Sequence, residues 1–212
     1  MSIAIELVVW DMDGTLINSA SVVPDAFIAT AEKFGKPGYT RQNVIDLYGL
    51  GVPENVVAHM LEKPVSKETM NFFYDQLQQN SSHVSTYAEI PKCLSHIHAR
   101  AKQAVFTGAS QRSAEILLKA VGIDQHFDLI LGGDDYLPKP DPGALVALAA
   151  QFDVAQKNCV YIGDALTDIQ AANSANMISI AAGWGHLYAT DMGCRITAHT
   201  PMQLCRALTA NC

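Results

Sequence analysis

Residues 5–15 of the 212-residue chain, Ile-Glu-Leu-Val-Val-Trp-Asp-Met-Asp-Gly-Thr, join an apolar run to a cluster of polar residues. Ile5–Trp10 is short and almost wholly apolar, as is typical of a strand buried on both faces of a parallel sheet. Two carboxylates, Asp11 and Asp13, follow at once. A carboxylate in such a buried place is costly without a partner. The stretch therefore predicts a central strand that ends at a site with a chemical role.

Four later runs have the same length and composition as this strand. Each is apolar, and each ends at a small or acidic residue: Gln103–Phe106, Asp128–Leu131, Cys159–Ile162 and Met177–Ala181. Helical patterns lie between them, and strands that alternate with helices predict a doubly wound α/β sheet. The expected fold class is α/β, with a Rossmann-like doubly wound parallel sheet as its core.

The boundaries of the separating helices carry their own signals. Ser110 is a candidate N-cap for a helix that ends just before Gly122. Asp141 followed by Pro142 predicts a cap and a first-turn proline for the next helix. A third helix is predicted over Asp168–Ser174, with Asn176 in the left-handed conformation after it.

Residues 17–84 break the alternation, because several helical segments follow one another there. Phe27, Ala31 and Phe34 share one helical face, and Gly35 closes that helix. No strand is predicted in this stretch. We therefore expect a small helical cap domain, residues 17–84, inserted into a catalytic core of residues 1–16 and 85–212.

Composition excludes several classes of protein. Apolar residues make up 49% of the chain and charged residues 17%, which favours a packed core over disorder. The net charge of −7 disfavours nucleic acid and anionic lipid as partners. No apolar run approaches ~18 residues, so no membrane span is expected. The five cysteines show no CxxC spacing, and reduced thiols together with the lack of a signal peptide predict a cytoplasmic protein.

Polar residues follow the ends of the predicted strands, where open α/β sheets bind their ligands. Each of these residues alone is common in turns, in helix caps or on the surface. The DxDGT pattern is rarer, since average composition yields it in roughly one chain in several hundred of this length. Four groups in order at strand ends indicate one site: Asp11–Thr15, Thr107-Gly108, Lys139-Pro140, and Gly163-Asp164 with Asp168.

These groups resemble the four motifs of the haloacid dehalogenase superfamily of phosphohydrolases, and the resemblance covers nearly the whole chain. The predicted helical insertion resembles the cap domain of that family. Lys139-Pro140-Asp141-Pro142 and Gly183-Trp184-Gly185 are similar to the phosphoglycolate phosphatase-like branch. Asn18 and Asn176 depart from the family pattern, and neither change touches the motifs.

The resemblance implies a Mg²⁺-dependent phosphatase that acts on a small phosphorylated metabolite, with phosphoglycolate as the default. It implies Asp11 and Asp164 as side-chain ligands of the metal, with Asp13 as a ligand through its backbone carbonyl. Asp11 is also the implied nucleophile, which forms an aspartyl-phosphate. Asp168 is expected to orient the metal site through water or hydrogen bonds.

Asp13 is the expected acid and base, protonating the leaving oxygen and then activating water. Because an ordinary Asp pKa of ~3.9 is too low for an acid at neutral pH, a neighbouring carboxylate is expected to raise it. Gly14 permits close backbone approach to phosphate. Thr107, Gly108 and Lys139 are expected to bind the transferring oxygens, the first through a hydroxyl, the second through an amide and the third through its charge.

The loop Tyr48–Val52 lies between two predicted cap helices. The resemblance implies that it dips over the site, with Gly49, Leu50 and Gly51 as candidate substrate contacts; a flexible connector is the alternative. Arg41 and Lys63 are candidates for binding an anionic tail or are solvated surface charges. Trp184 and His186 are candidates for the pocket wall, the core or the rim.

Other functions are compatible with parts of the pattern. A phosphomutase of the β-phosphoglucomutase type shares every motif and passes the phosphate to a sugar hydroxyl instead of water. A dehalogenase is disfavoured because that branch does not need Asp13. A non-catalytic binding module usually loses the nucleophile, which is present here, and a phospho-receiver domain orders its acidic residues differently and lacks a cap. Monomer and homodimer are both compatible with the sequence.

Overall fold

The structure is a computed structural model that describes residues 5–209. Its elements follow the chain as β1 (Leu7–Trp10), β2 (Ile17–Asn18), α1 (Val22–Lys33), α2 (Arg41–Ile45), α3 (Pro53–Leu61), α4 (Lys67–Asn80), β3 (Ser85–Thr86), α5 (Ile90–His98), β4 (Lys102–Phe106), α6 (Gln111–Ala120), β5 (Leu129–Leu131), α7 (Gly143–Gln151), β6 (Cys159–Gly163), α8 (Leu166–Ser174), β7 (Ile178–Ala182), β8 (Ile196–Ala198) and α9 (Pro201–Thr209). Short 3₁₀ turns lie between some of them, including Tyr48–Leu50.

Six parallel strands form the central sheet in the order β5-β4-β1-β6-β7-β8. All five predicted strands are present, with ends shifted by one or two residues. The chain leaves β1 towards β4 and β5, then returns to β6 on the other side of β1. The strand order therefore reverses beside β1, and a ligand crevice is expected at that point. The α/β class and the parallel sheet are confirmed.

Strand β8 was missing from the sequence prediction. It has only three residues, Ile196–Ala198, and lies at the edge of the sheet, where it pairs with β7 alone. Ile196 is partly exposed, so the run lacks the continuous apolar character of the inner strands. An edge strand of this length leaves little periodic signal in a sequence.

Successive residues of β1 point to opposite faces of the sheet, as the period of a strand requires. Val8 and Trp10 belong to the cluster that includes residues of α5, α6 and α9. Leu7 and Val9 belong to the cluster that includes residues of α7 and α8. Helices therefore cover both faces, which explains why every residue of β1 is apolar and buried.

Helices α1–α4 form a helical insert, Val22–Asn80, between β2 and β3. Those two short strands pair antiparallel through Ile17 with Thr86 and Asn18 with Ser85. The prediction of no strand within residues 17–84 is therefore wrong at Ile17–Asn18, because two residues are too few for a periodic pattern. Phe27 of α1 packs against Phe73 of α4 with ring centroids 4.5 Å apart. The division into a cap and a core at residues 16/17 and 84/85 stays a prediction.

Most helix boundaries follow the sequence signals. The Ser110 hydroxyl caps α6 by accepting a hydrogen bond from the Ser113 amide at 3.3 Å, and Gly122 follows that helix with a φ of +68°. Asn176 has a φ of +55°, the left-handed conformation predicted for it. Helix α7 begins at Gly143, one residue later than predicted. Pro142 is its N-cap, and the Asp141 carboxylate accepts a hydrogen bond from the Gly143 amide at 2.8 Å.

No helix within residues 5–209 has both the length and the apolar character needed to cross a bilayer. Within residues 5–209, Cys93, Cys159, Cys194 and Cys205 form no disulfide bond. Cys212 lies outside the described residues.

Candidate active site

One cavity of about 320 Å³ is lined by predicted site residues, which come from the ends of three strands and from the loop after β5. Asp11 follows β1, Thr107 follows β4 and Asp164 follows β6, while Lys139 reaches the cavity from the loop after β5. Further predicted residues line the same cavity: Asp13, Gly108 and Asp168. Parallel strands bring their carboxyl ends to one edge of the sheet, and this brings the four motifs together.

Asp11 is buried at the end of β1, where its amide donates to the Ile162 carbonyl at 2.8 Å. Its Oδ1 accepts a hydrogen bond from Lys139 Nζ at 2.7 Å. Its Oδ2 accepts none from residues 5–209. Burial raises the pKa of Asp11 well above its usual range, and Asp168 and Asp164 raise it further, while Lys139 lowers it. One oxygen of Asp11 is thus fixed and the other is available.

Lys139 is the cation of the site. Its Nζ lies 2.7 Å from Asp11 Oδ1 and 2.6 Å from Asp168 Oδ1. Burial lowers the pKa of Lys139, but the two carboxylates outweigh burial and hold the pKa well above its usual value. The side chain is therefore charged and held by ion pairs on two sides.

Tyr161 also contacts Lys139 and was not predicted as a site residue. Its hydroxyl accepts a hydrogen bond from Lys139 Nζ at 3.2 Å and lies 3.0 Å from the Phe106 carbonyl oxygen and 3.2 Å from Asp168 Oδ1. The available signal was a tyrosine in the middle of an otherwise apolar buried strand, since a buried hydroxyl needs a partner.

Asp168 was expected to orient a metal site, which stays a prediction, and the structure also gives it a direct contact with Lys139. Besides the bond from Lys139, its Oδ2 accepts a hydrogen bond from the Ala165 amide at 3.0 Å. Asp168 also belongs to a buried group of three carboxylates, with Asp11 and Asp164, in which one oxygen of each lies within 4.8 Å of the others. Both of its oxygens are engaged, so its clearest role is to position Lys139.

Asp164 carries the buried oxygen that lacks a partner. Its Oδ2 accepts a hydrogen bond from the Leu187 amide at 2.9 Å, whereas Oδ1 has no hydrogen-bond partner among the described residues. Burial raises its pKa to about 6; the Leu187 amide lowers it and Asp168 raises it. Carboxylate oxygens are the ligands that hard divalent cations prefer. The unpaired oxygen and the two neighbouring carboxylates are therefore chemically suited to such a cation.

Two glycines leave room for the Asp164 carboxylate. A Cβ placed on Gly14 would lie 2.2 Å from Asp164 Oδ2, and Gly14 has a φ of +83° that favours glycine. A Cβ placed on Gly185 would lie 2.2 Å from Asp164 Cβ. Gly14 was predicted to approach phosphate, but it packs against Asp164 and is not among the residues that line the cavity.

Asp13 lines the cavity but lies outside the group of three carboxylates. Its side chain is hydrogen-bonded to the Ser19 hydroxyl, a residue that the sequence analysis did not single out. Burial raises the pKa of Asp13, while Ser19, Lys139 and His186 lower it. The expected direction of the pKa change is confirmed, but the expected cause, a neighbouring carboxylate, is wrong.

Thr107 and Gly108 both line the cavity, and their binding of phosphate oxygens stays a prediction. Thr107 is buried, its amide donates to the Leu131 carbonyl at 3.1 Å, and its hydroxyl accepts from the Ala109 amide at 3.2 Å. A hydroxyl that accepts this bond keeps its own proton free to donate into the cavity.

The candidate substrate loop divides between cavity and solvent. Tyr48, Gly49 and Gly51 line the cavity, whereas Leu50 is 38% exposed and does not. A Cβ placed on Gly51 would lie 3.3 Å from Pro138 Cγ, so the loop contacts the segment that carries Lys139.

The remaining candidates lie outside the cavity. Arg41 is exposed and makes two 2.7 Å hydrogen bonds to the Asp25 carboxylate, and Lys63 is exposed. Trp184 donates from Nε1 to the Thr15 carbonyl at 2.9 Å. His186 is near the rim, where its Nδ1 lies 3.9 Å from Asp164 Oδ2.

Known proteins resemble this chain in fold and in sequence. CbbY from Rhodobacter sphaeroides, solved in complex with phosphate, has the same fold, with a TM-score of 0.81, 20% identity, and coverage of 94% of this chain and 96% of that one. A phosphoglycolate phosphatase of Chromobacterium violaceum is 26% identical over 94% of this chain and 95% of its own length. A phosphoglycolate phosphatase of Psychrobacter arcticus is 29% identical over 88% of this chain and 87% of its own length. The family profile described as haloacid dehalogenase-like hydrolase matches residues 8–182. Because that match spans most of the chain, the protein belongs to the haloacid dehalogenase-like hydrolase family.

Proposed function

We propose that this chain is a Mg²⁺-dependent phosphatase that hydrolyses the monoester of a small metabolite through a phosphoryl group carried on Asp11. One observation carries the proposal: Asp11, whose Oδ2 is available, and Asp164, whose Oδ1 is unpaired among the described residues, belong to one group of carboxylates beside Lys139. The names of the curated relatives support the reaction class and make phosphoglycolate the default substrate.

The main obstacle to the reaction is charge, because an anionic nucleophile must approach a phosphate dianion. When bound, Mg²⁺ supplies positive charge that offsets this repulsion. Asp11 and Asp164 would hold the ion through side-chain oxygens, and Asp13 would do so through its backbone carbonyl. Asp168, whose oxygens accept bonds from Lys139 and the Ala165 amide, is assigned to orienting the site rather than to holding the ion directly.

In the first step, Asp11 Oδ2 attacks phosphorus and the ester P–O bond breaks. The departing oxygen takes a proton from Asp13, whose burial-raised pKa suits it to carry that proton. In the second step, Asp13 removes a proton from water, which attacks the phosphorus and releases phosphate from Asp11. Lys139, the Thr107 hydroxyl and the Gly108 amide bind the oxygens that gain charge.

Lys139 also serves the nucleophile. Asp11 must be ionised to attack, although burial raises its pKa. The Lys139 ammonium at 2.7 Å from Oδ1 favours the ionised form and orients the carboxylate. Asp168 and Tyr161 hold that ammonium in place from the other side.

The test is turnover of p-nitrophenyl phosphate by Asp11→Asn. We expect a loss of at least about a thousandfold in kcat, because the amide cannot form the covalent intermediate. Asp75→Asn makes the same chemical change at an exposed position on α4 and should leave the rate unchanged. Chelation by EDTA should inactivate the wild type reversibly, with rescue by Mg²⁺. Retained activity in Asp11→Asn, or full activity in EDTA, would contradict the proposal.

The phosphomutase alternative predicts a different product. A phosphatase releases one inorganic phosphate for each ester consumed, whereas a mutase isomerises a sugar phosphate without net release. Measuring phosphate release from several esters therefore separates the two reactions. A cytoplasmic location and a monomeric or homodimeric state stay predictions from the sequence.

A further inference from the structure

The charged side chains that line the cavity all lie at the strand-end side. They are four carboxylates and one ammonium: Asp11, Asp13, Asp164, Asp168 and Lys139. The opposite wall comes from the helical insert and consists of Val23, Phe27, Tyr48, Gly49, Gly51, Pro53, Val56, Phe73 and Leu77. Tyr48 alone in that wall has a polar side-chain atom, and a phenol is uncharged at neutral pH. The cavity is therefore ionic at one end and apolar at the other.

Two arginines that could serve an anionic substrate tail are engaged elsewhere. Arg41 is bound to Asp25 on the surface. Arg112 stacks over the Tyr74 ring at 4.3 Å, donates to Asn71 and does not line the cavity. Lys139 is already paired with Asp11 and Asp168. Within the described part of the chain, the lining offers no additional cation to an anionic substrate tail.

We infer that the substrate carries an uncharged, largely apolar organic group on its phosphate, of the alkyl-ester class, in preference to the carboxylate of phosphoglycolate. The inference rests on the proposed phosphatase function and refines its substrate. Among residues 5–209, the lining supplies one ammonium, that of Lys139, and a bound Mg²⁺ would already offset the charge of the phosphate. A second anionic group would therefore be buried without a partner, which is strongly unfavourable.

The apolar wall also favours such a group directly. Phe27 lies between Phe73, at 4.5 Å between ring centroids, and Tyr48, at 6.5 Å. This aromatic cluster presents apolar surface to the cavity, and burial of hydrocarbon against it is favourable. The volume of about 320 Å³ is at the small end of ligand pockets, so the group is compact.

The experiment compares esters of matched shape on the wild-type enzyme with Mg²⁺. Isobutyl phosphate carries an isopropyl group where phosphoglycolate carries a carboxylate, so the two esters have similar shapes and differ in charge. The amide of phosphoglycolate is the neutral polar control. We expect kcat/KM to be at least about tenfold higher for isobutyl phosphate than for phosphoglycolate, with the amide between them. Across the ethyl, propyl and butyl esters we expect a rise of about fourfold per methylene until the cavity is filled.

A substitution that adds a cation to the apolar wall gives a second test of the inference. Val23 is partly buried in the first turn of α1 and lines the cavity. Val23→Arg should raise the ratio of kcat/KM for phosphoglycolate over isobutyl phosphate at least about tenfold, because it supplies a partner for the carboxylate. Val146→Arg is the control, since Val146 is an exposed residue of α7 outside the cavity, and its ratio should match the wild type.

The outcomes separate the two proposals. A wild-type kcat/KM for phosphoglycolate equal to or above that for isobutyl phosphate would overturn the apolar-group inference and leave the phosphatase proposal standing. Failure to hydrolyse any ester in Mg²⁺, including p-nitrophenyl phosphate, would overturn the phosphatase proposal and the inference together. The wild-type comparison decides the inference even if Val23→Arg does not fold.

Discussion

Replacement of Asp164 by Asn should stabilise the metal-free protein and abolish its stabilisation by Mg²⁺. In the metal-free state Asp164 shares a buried group with Asp11 and Asp168, and its Oδ1 has no hydrogen-bond partner among residues 5–209. Asn keeps the shape and one carbonyl oxygen, which can still accept from the Leu187 amide. The substitution therefore removes a charge while preserving the main contact.

The size of the effect follows from the pKa of Asp164. Burial is the main cause of its rise from 3.8 to about 6. Each pKa unit corresponds to about 1.4 kcal/mol, so ionised Asp164 lowers the free energy of unfolding by about 3 kcal/mol. We therefore expect Asp164→Asn to have a higher free energy of unfolding than the wild type, by most of that amount, at pH 8 in the presence of EDTA.

The pH dependence has a definite sign. A carboxyl whose pKa is higher in the folded state than in the unfolded state binds protons more tightly when folded. The stabilisation that comes from binding this proton is complete below about pH 4 and is lost as the pH rises through about 6. The advantage of Asp164→Asn over the wild type should therefore be complete at pH 8, about half as large at pH 5, and absent below pH 4.

Urea unfolding of both proteins, in EDTA and in saturating Mg²⁺ at each pH, measures these quantities. Mg²⁺ should stabilise the wild type, because a ligand that binds only the folded state stabilises it by mass action. It should not stabilise Asp164→Asn. Asp75→Asn, the exposed control on α4, should behave like the wild type throughout. Equal or lower stability of Asp164→Asn in EDTA at pH 8, or an undiminished effect of Mg²⁺ on it, would refute the reasoning.

Two further substitutions test contacts around the site. Gly185→Ala places a Cβ 2.2 Å from Asp164 Cβ, so we expect the Mg²⁺ concentration for half-maximal activity to rise at least about tenfold. Val146→Ala, at an exposed position of α7 outside the cavity, should leave it unchanged, and a normal Mg²⁺ requirement in Gly185→Ala would count against the assignment of Asp164. Tyr74→Phe removes a hydroxyl that lies 2.9 Å from both Glu54 Oε1 and Ser110 Oγ, and urea unfolding should show a loss of about 1–3 kcal/mol. Tyr136→Phe serves as its control, because the Tyr136 hydroxyl makes no hydrogen bond within residues 5–209. Equal stability of the two variants would contradict a structural role for the Tyr74 hydroxyl.

Local signals in the sequence identified most of the fold. The buried strands are short apolar runs, and the caps at Ser110 and Asn176 are encoded within a few residues. These features depend on burial and on backbone conformation, which neighbouring residues largely set. The misses, β8 and the pair β2–β3, are elements of two or three residues whose existence depends on a partner strand rather than on their own pattern.

The site was recognisable for a similar reason, because polar residues that follow buried strands must converge at one edge of a parallel sheet. Their roles in detail were not recognisable. Asp168 binds Lys139 directly, Tyr161 supports the same ammonium, and Ser19 holds Asp13. Each of these contacts requires side-chain positions that motif spacing does not specify.

The sequence by itself determined the α/β class, the order of the strands in the chain and the set of acidic residues at their ends. The tertiary structure alone decided which oxygen of Asp164 is unpaired, how Lys139 reaches Asp11 across 128 positions of the chain, and that the wall facing them is apolar. The physical reason is range: strand and helix patterns reflect interactions between near neighbours, whereas charge pairing and cavity chemistry depend on residues that only folding brings together.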